Sequence, residues 1–197
     1  MIEFAFVIFL TLGTVIVLFL IGRKAELVLR RIESFLTYLS AAIILFVMTY
    51  VLAEVLMRYA FNSPLPGHLE GAELLLPMIV FLAVSYTQAR NGHVGMSLLI
   101  DLLPADTRRI TDICTLTLSA LTCAVLAYFG AKQALFSWQI DDVTMTPPYW
   151  PIWPSAAVVP LGYLFLAIRM SLQALQRAVP ERFPKPLVDD PESTSIV

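Results

Sequence analysis

Four ionisable side chains stand at the ends of, or inside, long apolar stretches of this 197-residue chain: Glu54, Arg58, Glu70 and Glu73. A charge at the centre of a membrane-spanning helix costs about 2.5–3.5 kcal/mol or more, so each needs a partner or a task. Glu54 and Arg58 are four residues apart with the carboxylate first, the favourable order for an ion pair on one helix. Arg58 is also within reach of Glu70 across a short turn. All four sit toward one end of the apolar stretches, whereas the carboxylate of a proton- or ion-coupled carrier belongs near the midplane, where alternating access exposes it to both sides. A structural ion-pair cluster is the expected role, with docking of a partner protein or direct ion coupling as the alternatives.

Other reactive chemistry is sparse. His68 and His93 fall in connections on opposite sides of an apolar run and cannot share a metal. Cys114 and Cys123, nine residues apart in one run, are too distant on a continuous helix to form a disulfide. No Ser/His/Asp set, Gly-rich phosphate loop or metal-ligand spacing is present, so no catalytic, substrate-binding or metal-ligating residue and no cofactor is expected, and the chain does not read as an enzyme.

The elements that must position these residues follow from composition. The chain is 58% hydrophobic and 14% charged with mean hydropathy +0.78, against roughly 45–50% and about 25% for a soluble domain. An all-α integral membrane protein is therefore expected. The net charge of -2 excludes a basic nucleic-acid footprint. Apolar runs at 4–21, 36–57, 70–90, 110–131 and 152–172 predict a four-helix transmembrane core over 23–178, preceded by one extra N-terminal transmembrane helix within 1–22. The first run lacks a basic leader and a cleavage-site pattern, so a retained anchor is expected. Residues 179–197, rich in Pro and charge, predict a disordered tail. Val94, Leu98 and Leu102 line one face of a short interfacial helix.

Eleven of the 13 Lys and Arg residues fall in alternate connections, and only Arg58 and Lys132 fall in the others. Because basic connections stay on the cytoplasmic side, this predicts a cytoplasmic C-terminus and, with five spans, an outer N-terminus. Trp138, Tyr149, Trp150 and Trp153 then form an aromatic belt at the outer interface. In the fourth run, Ala120, Ala124, Ala127 and Ala131 make one stripe of small residues and Thr111, Thr115 and Thr122 another, both suited to close helix approach.

Three segments carry a family resemblance: RYAFNSPLPGHLE at 58–70, ARNGHVGMSLLIDLLP at 89–104 and PIWPSAAVVPLG at 151–162. Over about residues 32–178 the chain resembles the small membrane subunit, of DctQ type, of tripartite ATP-independent periplasmic (TRAP) transporters. The combination of Arg58, Asn62, Pro64, Glu70 and His93 is the most specific part. Ser97 stands where the family often has an acid, and Gly67 where it often has Trp. The resemblance implies a bacterial inner-membrane location and two protein partners, a large elevator-type permease subunit that moves organic acids with sodium and a periplasmic solute-binding protein. The small subunit would brace the large one and bind no substrate. The reading from a different class is a self-contained ion- or proton-coupled carrier, a homo-oligomer using Glu54 or Glu73.

Overall fold

A backbone placed in hydrocarbon must satisfy its own hydrogen bonds, and the apolar runs do so as four long helices. The computed structural model describes residue 13, residues 23–90 and residues 105–179. The helices are α1 (Arg23–Phe61), α2 (His68–Ala89), α3 (Ala105–Gln139) and α4 (Trp153–Ala178). All four are long and apolar enough to cross a membrane, and the described residues contain no strand. The expected run at 4–21, the short helix around Val94–Leu103, His93, Ser97 and the tail beyond Val179 lie outside the described residues.

The helices exceed the apolar runs from which they were expected. α1 has 39 residues, about 58 Å of helix against a hydrocarbon core of about 30 Å. Its first three turns hold Arg30, Arg31 and Glu33, charges that interrupt the hydropathy without interrupting the helix. At its other end Asn62 takes a left-handed conformation (φ 54°) and the Ser63 N–H returns to the Met57 carbonyl at 3.2 Å. Asn tolerates this region, and Pro64 prevents the helix from resuming. Gly67 (φ 71°) opens α2, and a Cβ there would lie 2.5 Å from Pro148 Cδ. A side chain at this position, such as the Trp frequent in the resembled family, is thus disfavoured both by backbone conformation and by the neighbouring loop.

The inward side of α1 follows spacings of four and three without a break: Leu29, Glu33, Leu36, Ser40, Ile43, Val47, Tyr50 and Glu54. Leu29, Glu33, Ser40 and Glu54 are buried and the others half-buried, the seam of a left-handed helix crossing. α1 packs on α2, α2 on α4 and α4 on α3. The helix order across the membrane is therefore α1, α2, α4, α3, an open layer in place of a closed bundle.

Two features set the spacing within this layer. At Gly162 of α4 an added Cβ would meet the Phe81 carbonyl oxygen of α2 at 2.5 Å, so the absence of a side chain brings the two backbones together. The alanine stripe does the same for α3 and α4: Ala120, Ala124 and Ala127 are buried, and Ala124 clusters with Cys123, Leu166 and Ala167. In the threonine stripe Thr115 and Thr122 are exposed and Thr111 is half-buried. Thr111, Thr115, Thr117 and Thr122 each donate to the carbonyl four residues back on their own helix.

Candidate functional site

The two interhelical connections at 62–67 and 140–152 lie at one end of the layer, which we call the turn end. Here Glu54, 2% exposed, accepts from Arg58 Nε at 2.9 Å and Nη2 at 2.5 Å, as the four-residue spacing predicts. His68, the first residue of α2, places Nδ1 3.8 Å from Glu54 Oε1 and 3.1 Å from the Leu65 carbonyl oxygen. Arg58 does not reach Glu70. The Glu70 oxygen Oε2 is buried and lacks a hydrogen-bond partner, and Glu73 is exposed, so the expected four-member cluster contracts to Glu54, Arg58 and His68. The physical reason is reach: Arg58 spends two donors on its own helix, and half of its side chain stays in the open. Asn62 and Pro64, also expected at this site, shape the turn as described above.

The loop after α3 presents the aromatic residues. Val143 and Pro151 form an isolated bridge, flanked by bonds from the Ile152 N–H to the Asp142 carbonyl (3.0 Å) and from the Thr144 N–H to the Trp150 carbonyl (2.9 Å). Trp138, Tyr149, Trp150 and Trp153 are all exposed at this end, and Trp150 Nε1 also backs the position of Gly67.

The larger polar site lies at the opposite end and was not expected. Arg169 of α4, 3% exposed, donates from Nε to Glu33 Oε1 at 2.8 Å and pairs through Nη2 with Glu33 Oε2. Its Nη1 reaches Glu26 Oε1 at 3.4 Å. The Ser85 hydroxyl of α2 donates to Glu33 Oε1 at 2.5 Å, and Gln176 of α4 donates to Glu26. One turn away Gln88 Nε2 donates to Gln173 Oε1 at 2.8 Å, and Gln173 Nε2 returns a bond to the Gln88 carbonyl at 3.1 Å. Glu33 is 1% exposed, and Leu29 packs with the fully buried Leu172 beside the charges. Both Glu33 oxygens and all three Arg169 nitrogens that carry donors are used. The site ties α1, α2 and α4 together by a bidentate pair, the arrangement that best repays desolvation of two charges.

In the sequence Arg169 is one of the basic residues flanking the last span, and Glu33 stands just before the apolar run at 36–57. A signal was present nonetheless. Glu26, Glu33, Ser40 and Glu54 fall on one seven-residue repeat of α1, and Arg169, Gln173 and Gln176 fall on one face of α4. Polar residues at that period within an apolar helix mark a buried polar seam.

Along α1 the two clusters are separated by 21 residues, about 31 Å, one hydrocarbon thickness. Between them Ser40 of α1 donates to the Ile79 carbonyl of α2 at 2.7 Å. At the far end α3 is tied to α4 by Arg177 with Asp112 (2.9 Å) and by Arg109, which donates to the carbonyls of Arg177 and Ala178 at 2.9 Å each. Among the described residues no group of three or more His, Cys, Asp and Glu residues is placed to hold a metal ion. The Glu33–Arg169 and Asp112–Arg177 pairs thus hold helices to one another, whereas the Glu54–Arg58 pair lies within α1.

Known proteins resemble this chain in sequence. The chain is 27% identical over 154 residues to the ectoine TRAP transporter small permease protein TeaB of Halomonas elongata, covering 76% of this chain and 79% of that protein. It is 29% identical over 98 residues to the C4-dicarboxylate TRAP transporter small permease protein DctQ of Vibrio cholerae, covering 50% of this chain and 39% of that protein. Residues 47–179, which hold Glu54, Arg58 and Arg169 but not Glu33, match the family of tripartite ATP-independent periplasmic transporters, DctQ component. This multi-pass membrane protein therefore belongs to the DctQ family of TRAP transporter small permeases.

Proposed function

We propose that the chain is the non-substrate-binding small subunit of a sodium-coupled TRAP transporter for an organic solute, and that it braces the large elevator-type permease. A periplasmic solute-binding protein would deliver the solute to that permease. The turn end would face the periplasm, and the C-terminus the cytoplasm, in accord with the division of Lys and Arg. The names of the relatives, one for ectoine and one for C4-dicarboxylates, support small organic solutes as the class.

The observation that carries this reading is how the intramembrane charges are used. Glu33 and Arg169 bind each other, as do Glu54 and Arg58, at two levels about one bilayer core apart. A carrier keeps such groups available to a moving substrate or ion, whereas a brace uses them to stop its helices from sliding. The open helix order leaves broad apolar faces on both sides of the layer. An elevator needs one part anchored while another moves, and a flat, internally clamped layer attached to the anchored part widens it and resists tilting.

The test is reconstitution of the large subunit with and without this chain, together with loaded binding protein, under a sodium gradient. Uptake should require the small chain, and the small chain alone should transport nothing. Equal uptake and equal stability of the large subunit in both preparations would refute the bracing role. Uptake by the chain alone that is lost on Glu54→Gln or Glu73→Gln would instead establish a self-contained carrier.

A further inference from the structure

The first three turns of α1 sort their charges by side. Glu26 and Glu33 turn inward, where Arg169, Ser85 and Gln176 take them up. Arg30 and Arg31 are exposed, and no ion pair to either is present among the described residues. At about 100° per residue Arg31 stands about 160° around the helix from Glu33, on the edge opposite the seam that α1 presents to α2. Tyr38, 76% exposed, lies seven residues on, within about 20° of the same line and about 10 Å further along the helix. Leu27, Phe35 and Leu45, all exposed, flank that line within about 40°.

The depth of these groups suits a phospholipid. Arg30 and Arg31 precede the apolar run at 36–57 by about 8 Å of helix, which is headgroup level for a run that fills the hydrocarbon. Tyr38 stands just inside that run, where an amphipathic ring meets the boundary between headgroup and acyl chain. A lipid laid along the edge therefore meets guanidinium, phenol and leucine in the order of its phosphate, esters and acyl chain, and the guanidinium fork matches phosphate oxygens bidentately. Charge selects the headgroup. The acids of α1 are Glu26, Glu33 and Glu54, all engaged on its inward side, so the outer edge has two cations and no carboxylate. An ammonium headgroup finds nothing there to complement it, whereas a net negative headgroup keeps the attraction of both arginines.

We propose that the outer edge of α1 binds an anionic phospholipid, its phosphate held by Arg30 and Arg31 and its ester region beside Tyr38. The site is on the chain itself and does not depend on the bracing role. It is tested by native mass spectrometry of the full-length, delipidated chain in detergent, offered equal amounts of synthetic phosphatidylglycerol and phosphatidylethanolamine. The wild type should retain the glycerol lipid in preference by about thirtyfold, since each arginine at an anionic headgroup supplies about fivefold. Arg31→Gln should lower that ratio to about fivefold, and Arg30→Gln with Arg31→Gln should bring it near unity, with helix content unchanged. Arg90→Gln removes the same charge just past the end of α2, where the exposed guanidinium stands 5.4 Å from the Tyr86 ring centroid, and should leave the ratio as it was. Equal retention of the two lipids by the wild type would overturn the proposal. So would an equal fall on Arg90→Gln, the mark of net charge acting without a site. The preference should persist when the large subunit is bound, and its loss there would overturn the proposal by assigning this edge to that protein.

Discussion

The Glu33–Arg169 pair offers the sharpest test of how the layer is held. In Arg169→Met the guanidinium is replaced by an apolar side chain, and Glu33 keeps only the Ser85 hydroxyl as a donor in a position 1% exposed. Two charge-assisted bonds to Glu33 are lost, at about 1.5–3 kcal/mol each, which agrees with the roughly 3–5 kcal/mol measured when one member of a buried pair is removed. Glu33→Leu should cost a similar amount, moderated because Arg169 retains Glu26. The double variant removes both charges of the pair, leaving Glu26 bonded to Gln176 and the Ser85 hydroxyl to the Phe165 carbonyl, so it should return to within about 1 kcal/mol of the wild type or exceed it. The coupling energy of the cycle is then about 3 kcal/mol or more. Reversible unfolding of the purified chain in mixed micelles, titrated with SDS and followed by circular dichroism, measures all four corners. Single variants within 1 kcal/mol of wild type, or a double variant equal to the sum of the singles, would refute the account of Glu33 and Arg169 as a clamp.

Four further outcomes follow from particular contacts. Gly162→Ala should push α4 from α2 and cost about 1–3 kcal/mol, as overpacking does, because its Cβ meets the Phe81 backbone at 2.5 Å; an unchanged thermal midpoint would contradict this. Asn62→Gly should leave stability unchanged while Asn62→Val costs about 1–2 kcal/mol, since only the second is penalised at positive φ; equal midpoints for the two variants would rule out a backbone role. Gln88→Leu should destabilise by about 1–3 kcal/mol, because it leaves the buried Gln173 Oε1 without its donor, and Gln88→Leu with Gln173→Leu should recover most of that loss, as a thermal shift in detergent would show. Reporter fusions after Leu65 and after Val188 should report opposite sides of the membrane, and the same side for both would overturn the orientation drawn from the Lys and Arg distribution.

Much of this protein is legible along the chain because the relevant forces act over short sequence distances. Apolar runs long enough to span a bilayer must become helices, and the four described helices contain the runs at 36–57, 70–90, 110–131 and 152–172 almost entirely. The Glu54–Arg58 pair was visible because residues four apart on a helix are always neighbours, whatever the helix packs against. The alanine stripe announced a close helix contact for the same reason, although not its partner. The partner is α4 of the same chain, because helix order across the layer depends on packing among distant segments. That order also separated Arg58 from Glu70, which the short turn alone left within reach.

The far cluster depended most on tertiary structure. Glu33 and Arg169 are 136 residues apart, and each in isolation looks like an ordinary polar flank of a membrane span. Charge counting treats an arginine near a helix end as a topological marker, since the same residue is equally stable there in water. Only the packing of α1, α2 and α4 withdraws it from water and obliges it to find Glu33. A seven-residue polar repeat on α1 records that a seam exists, but which side chain fills it from the facing helix is decided by where that helix comes to lie.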